Sequence, residues 1–143
     1  MKIEIRRLHP DAVIPVAHHP GDAGADLVSI EMCVLAPGAR AMVATGLSVA
    51  IPDGFAGFVL PRSGLASRHG VTCANAPGLI DPGYRGELKV ALVNLDPELT
   101  YTVQSGDRIA QLVILATPAV EFDEVENLPD STRGKGGFGS SGR

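Results

Sequence analysis

The chain has 143 residues, 45% of them apolar, and a formal net charge of −4. That length suits one domain able to bury roughly two-thirds of its unfolded surface. The acidic balance argues against a nucleic-acid binder, which needs a basic face, and no apolar run is long enough to span a membrane. The start, MKIEIRR, is charged where a secretory leader needs an apolar segment, so a cytoplasmic protein with no membrane partner is expected. Cys33 and Cys73 both sit in apolar context and are expected as buried, reduced thiols. Without clustered histidines they make no zinc site. His18 and His19 lie in a Pro/Gly-flanked loop and are expected to be solvated.

Short apolar stretches alternate with turn signals about every ten residues, the pattern of an all-β sandwich or barrel. Ile3 and Ile5 alternate with charges and predict a first strand. The stretch from His9 to Ala25 holds three prolines, which argues for a loop. Met32 to Leu35 reads as a short strand stopped at Pro37-Gly38. Val43, Leu47, Val49 and Ile51 share one face over two strand segments. After the Pro52-Asp53-Gly54 turn, Phe55 to Leu60 is the next strand.

Leu65 to His69 has room for one or two helical turns. A helix beginning there would aim its free N–H groups at the Arg62-Ser63-Gly64 corner, a setting for anions. Asn75 to Glu87, NAPGLIDPGYRGE, follows, with Asp81 between Leu79-Ile80 and a Pro-Gly turn. Taken alone, this stretch fits a turn with an Asx-type bond or a functional loop on a rigid strand. Leu88 to Leu95 reads as a buried strand. Leu99 to Val103 and Ile109 to Leu115 predict a hairpin about Ser105-Gly106-Asp107, and Val120 to Val125 a last strand with acidic residues on its outer side.

From Glu126 the composition changes. Ser131 to Arg143 has five glycines, three serines and one aromatic, Phe138, the composition of a disordered tail. Gly134, Gly136 and Gly139 match a dinucleotide-binding spacing, but no strand precedes them and no helix can follow. The chain therefore divides into a core, 1–125, and a C-terminal arm, 126–143.

Five segments, in order, resemble the five motifs of the trimeric dUTP pyrophosphatase (dUTPase) family: Ala23 to Leu27, Pro61 to Ala66, Asn75 to Glu87, Gly106 to Leu112, and Arg133 to Gly142. The resemblance implies an all-β, jelly-roll-like β barrel with at most one short helix and a flexible C-terminal arm. It implies a homotrimer in which each site draws on three subunits, the third sending its arm across. Eleven residues from Arg133 onward can extend about 35 Å. The implied reaction is hydrolysis of dUTP at the α-β phosphoanhydride to dUMP and pyrophosphate, removing dUTP from the nucleotide pool and supplying dUMP for thymidylate synthesis.

By the same resemblance, Asp81 is the catalytic base, oriented by Leu79 and Ile80. Tyr84 packs on the deoxyribose, Asn75 with the main chain around Ala76 to Leu79 reads uracil, and Gly78, Leu79 and Ile80 are among the substrate-binding residues. Arg62, Ser63, Gly64 and Gln111 hold the phosphates, while Arg108 is structural and pairs with a carboxylate. Lys89 matches a substrate-contact position, or is an exposed strand lysine. The arm brings Arg133 to the phosphates, Phe138 to stack on uracil, and Gly139, Ser140 and Ser141 as donors. The family usually has threonine where Ser141 stands. Mg²⁺ is expected to arrive with dUTP, Asp26 acting on it indirectly through water. The alternatives are a dCTP deaminase of the same fold and a non-catalytic jelly-roll interaction module.

Overall fold

In the computed structural model, which describes residues 1–137, the regular elements are short strands and one helix. The strands are β1 (Glu4–Arg7), β2 (Ala25–Val28), β3 (Cys33–Leu35), β4 (Arg40–Ala44), β5 (Leu47–Ala50), β6 (Phe55–Leu60), β7 (Val71–Cys73), β8 (Gly78–Ile80), β9 (Lys89–Asn94), β10 (Tyr101–Val103) and β11 (Arg108–Ala116), and the helix is α1 (Ser63–His69). Pairing among the described residues is antiparallel. It forms a four-stranded sheet β2-β11-β6-β8, a three-stranded sheet β4-β9-β7, and two ribbons, β1-β5 and β3-β10. The fold is all-β and jelly-roll-like, as expected, although the ladders remain four sheets around one core and close into no single barrel among the described residues. No described helix is long and apolar enough to cross a membrane.

Alternation builds the core. Val90 and Leu92 of β9 face inward with Leu35, Val43, Leu47, Val49, Val103 and Ile109. Asn94 continues the inward face of β9 and is fully buried. Its Nδ2 donates to the Leu35 and Leu99 carbonyls at 2.9 and 2.8 Å, and its Oδ1 accepts the Asp96 N–H at 2.9 Å. These bonds offset its burial, which would otherwise cost about 1–3 kcal/mol per unpaired group. Helix α1 stops where Gly70 turns left-handed at φ 64° and its N–H caps the Ala66 and Leu65 carbonyls. A Cβ at that glycine would stand 2.7 Å from the Asp96 nitrogen.

Three expectations need correction. Leu99–Val103 and Ile109–Leu115 make no hairpin: β10 pairs with β3, and β11 lies between β2 and β6. The turn between them exists, closed by Asp107 N–H to the Gln104 carbonyl at 3.1 Å, but Gly106 N–H also donates to Ser29 at 2.8 Å. That anchor lets the two strands part into different sheets. Val120 to Val125 forms no strand and Phe122 is 94% exposed, because its alternation meets no partner ladder in the same copy among the described residues. Cys33 is only half-buried, since β3 is paired on one side alone; Cys73 is buried, and burial pushes its thiol up to about 11.

Candidate active site

The four-stranded sheet brings distant residues into one row. On β11, Gln111 is paired with Asp26 of β2 on one side and with Leu60 of β6 on the other, so the row runs from Asp26 to the point where the chain leaves β6 at Pro61. A β-bulge between Arg108 and Ala110 inserts one extra residue against β2. In a regular strand Arg108 and Gln111, three apart, would face opposite sides. The bulge buries Ile109 and Ala110 together and returns Arg108 to the face that Gln111 occupies.

A closed clamp results. The Asp26 carboxylate receives Arg62 Nε at 3.0 Å on one oxygen and Arg108 Nη1 at 3.2 Å on the other, and Arg62 Nη1 donates to the Arg108 carbonyl at 3.0 Å. Gln111 Nε2 donates to the Pro61 carbonyl at 3.0 Å. Its Oε1 lies against Gly24, where any Cβ would overlap that oxygen. Above this floor opens a cleft of about 410 Å³, walled by His18, Asp22 and Ala23 on one side and by Ser63 and Gly64 on the other. The arginine pair, the amide and the start of α1 form a lining suited to a polyanion.

The second group is the Asn75–Glu87 segment, a hairpin only in that the chain reverses at Asp81–Tyr84, since β8 and β9 on either side pair with other strands and not with each other. Strand β8 pairs with β6, Ile80 opposite Gly57 and Gly78 opposite Val59. Beyond it, the chain is laced to the corner between β4 and β5. Ser48 Oγ donates to the Arg85 carbonyl at 2.7 Å, Gly46 N–H to Glu87 at 2.9 Å, Thr45 Oγ1 to the Leu88 carbonyl at 2.6 Å, and Leu88 N–H to the Leu47 carbonyl at 2.7 Å. Tyr84 is held over Gly86, its hydroxyl donating to the Glu87 carbonyl at 2.9 Å. The turn is closed by Tyr84 N–H to the Asp81 carbonyl at 3.1 Å. That bond uses main chain alone and leaves the exposed Asp81 side chain outside the turn.

The structure thus brings Asp26, Arg62, Ser63, Gly64 and Gln111 together, and separately Asn75, Gly78, Leu79, Ile80, Asp81 and Tyr84. Continuing the β6–β8 register sets Asp81 beside Ala56, four residues from Leu60, or about 13 Å along the strand from the cleft's edge. Leu79 is 58% exposed, so within one copy it braces nothing, whereas Ile80 packs on the core. Asn75 lies over Gly78, where a Cβ would come within 3.2 Å of its amide. Lys89 faces Glu87 at 3.5 Å, and Arg133 donates to the Gly136 carbonyl at 2.9 Å in an exposed turn. Phe138, Gly139, Ser140 and Ser141 lie outside the described residues.

Sequence reasoning took Arg108 correctly as the partner of a carboxylate, but it missed His18 and Asp22 on the cleft wall. Only their proximity to the Ala23–Leu27 segment could have hinted at them. Among the described residues no group of three or more His, Cys, Asp or Glu side chains forms a metal cage. Asp26, already shared by two guanidinium groups, suits contact with an ion's water shell better than direct ligation.

The family model for dUTPase matches residues 11–142. The chain is 59% identical to a deoxyuridine 5'-triphosphate nucleotidohydrolase of Thermobifida fusca, over 99% of this chain and 79% of that protein. It is 54% identical to the protein of that name from Solibacter usitatus, over 100% and 97%. Among solved structures, a variant dUTPase of Staphylococcus bacteriophage 80alpha with dUpNHpp superposes at a TM-score of 0.93, with 31% identity and 99% of each chain covered. A variant dUTPase of phage phi11 of S. aureus, described with a structural Mg(II) ion, superposes at 0.82, with 30% identity over 89% of this chain and 98% of that one. The chain belongs to the dUTPase family. Its activity is hydrolysis of dUTP, and the relatives' names do not favour the deaminase reading.

Proposed function

We propose that dUTP is cut at the α-β phosphoanhydride in a site shared by copies of the chain in a homotrimer, the cleft of one copy facing the hairpin of a second. The observation that carries this reading is the separation of the two groups along β6: Gln111 of the cleft stands beside Leu60, while Ile80 stands beside Gly57 and the chain runs on to Asp81 away from the cleft. The unpaired segment with Val120, Phe122 and Val125 exposed also supports assembly, since large apolar side chains in water mark contact surfaces. A ring of three is an ordinary closed assembly.

In this site the triphosphate lies in the cleft. Arg62 and Gln111 contact its oxygens, with the main chain at Ser63 and Gly64 close enough to add N–H donors. The Asp26 clamp fixes the Arg62 guanidinium before substrate arrives, and such preorganisation is what phosphoryl-transfer catalysis needs most. Asp81 accepts a proton from the water that attacks the α-phosphorus, and pyrophosphate leaves. Tyr84, immobilised by its bond to Glu87, presents its ring to the deoxyribose. Asn75 and the main chain of Gly78, Leu79 and Ile80 pair with the O4 acceptor and N3–H donor of uracil. Cytosine reverses both groups, and a buried mismatch of that kind discriminates strongly. Lys89, tied to Glu87, stands at the hairpin's base as a substrate contact.

Mg²⁺, when bound with dUTP, supplies charge neutralisation on the phosphates. Asp26 is the carboxylate placed to accept hydrogen bonds from its water shell. From a third copy the arm contributes Arg133 to the phosphates, Phe138 to stack on uracil, and Gly139, Ser140 and Ser141 as donors that complete the lid. The test is to incubate the protein with dUTP or dCTP and Mg²⁺, following pyrophosphate and ammonia, and to measure its mass in solution. Pyrophosphate from dUTP alone and a threefold mass are expected. Ammonia from dCTP, or an active monomer, contradicts the reading.

A further inference from the structure

Two guanidinium groups, Arg62 and Arg108, share the cleft with two carboxylates, Asp22 and Asp26, so their formal charges cancel. A triphosphate entering there brings several negative charges, and the wall formed by the loop before β2 would meet it with Asp22. His18 is the remaining titratable side chain on that wall. It is not loosely placed. The next four residues, His19 to Asp22, form a turn closed from both ends. His19 N–H donates to Asp22 Oδ2 at 2.8 Å, and Asp22 N–H to the His19 carbonyl at 3.1 Å. Gly21 sits at φ 93°, the left-handed conformation the turn requires. The first of those bonds also draws part of the Asp22 charge back into the turn. His18 and His19 meet edge to face, with ring centroids 4.9 Å apart. At the other end of the loop, Gly24 is pressed on Gln111, which fixes the wall to the cleft floor.

We propose that His18 is a substrate-binding residue, its imidazole N–H holding an oxygen of the triphosphate chain in this cleft. This rests on the reading of the cleft as the triphosphate site.

The test uses the full chain with Mg²⁺, comparing wild type with His18→Asn, which shortens the reach, and His18→Gln, which retains an N–H donor at similar reach. His18→Asn is expected to raise KM for dUTP roughly tenfold, the size of a lost hydrogen bond to a charged group, with kcat changed less than about twofold. Inhibition by one of the two products, pyrophosphate or dUMP, should weaken by the same factor while inhibition by the other stays at the wild-type level. His18→Gln should recover most of both losses. An unchanged KM in His18→Asn overturns the proposal. So does a parallel loss of pyrophosphate and dUMP inhibition, which would mean the loop had merely shifted. If pyrophosphate fails to compete with dUTP in the wild type, the cleft itself is misread, and the His18 contact falls with it.

Discussion

The cleft and the hairpin are built on opposite plans. In the cleft every charged group has a partner inside one copy: Asp26 with Arg62 and Arg108, Arg62 with the Arg108 carbonyl, Gln111 with the Pro61 carbonyl. The hairpin and the Leu88 that follows it are equally well tied, by four hydrogen bonds to the Thr45–Ser48 corner, one of them through the Glu87 carboxylate, yet Asn75, Asp81 and Tyr84 are exposed. One region is closed on itself within one copy. The other holds exposed groups in place, with the Tyr84 hydroxyl tied back to the Glu87 carbonyl. The contrast teaches that rigidity and completeness are separate: the hairpin is as well fixed as the cleft, and what it lacks is a counterpart.

Substitutions on each side should break in different ways. The largest effect is expected at Asp81: Asp81→Asn should lower kcat by about 10²–10⁴ with substrate binding nearly intact, and a wild-type turnover number would remove Asp81 from its role. Next comes deletion of 131–143, which should leave a folded assembly without most of its activity; full turnover by the truncated chain would dismiss the lid. In the cleft, Gly24→Ala forces a methyl onto the Gln111 amide and should reduce kcat/KM by about 10- to 100-fold, since displacements of an ångström carry that cost. Unaltered kinetics there would show that Gln111 can move freely. The smallest effect is expected at Ser48. Ser48→Ala removes one tie to the hairpin and should lower stability by about 1 kcal/mol, read by denaturant unfolding, with kcat nearly unchanged because three ties remain. A large loss of kcat would make the hairpin less rigid than its hydrogen bonds imply.

The turn of the hairpin was readable in the sequence because Asp81-Pro82-Gly83-Tyr84 is contiguous and β9 follows with plain alternation, but the stretch alone fitted an Asx-type turn equally well, and the roles of Asp81 and Tyr84 came from the family resemblance. Strands β6 and β9 and helix α1 were legible for the same local reasons. The cleft was harder. Asp26, Arg62 and Gln111 are far apart in the chain, and resemblance to a family, more than any pattern, joined them. The bulge that turns Arg108 onto the Gln111 face leaves only the pair Ile109-Ala110 as its trace, which reads equally well as a buried run. Strands β2, β7 and β8 are three or four residues long and rely on neighbours for their extended shape. The expected hairpin of β10 and β11 failed because a turn signal fixes where the chain reverses, while the partner of each strand is decided by the whole sheet. Val120 to Val125 has the alternation of a strand and no ladder to join among the described residues of one copy.

The most direct test of a shared site is complementation. Arg62→Ala disables the cleft and Asp81→Asn disables the hairpin, each leaving the other region intact, and each homogeneous preparation should be nearly inactive. Unfolded together in equal amounts and refolded, the two chains should recover about a quarter of wild-type activity, because random assembly pairs an intact cleft with a neighbour's intact hairpin at about one site in four. Recovery no greater than the sum of the two separate preparations would place Arg62 and Asp81 in a site made by a single copy, and would contradict the division of labour between cleft and hairpin.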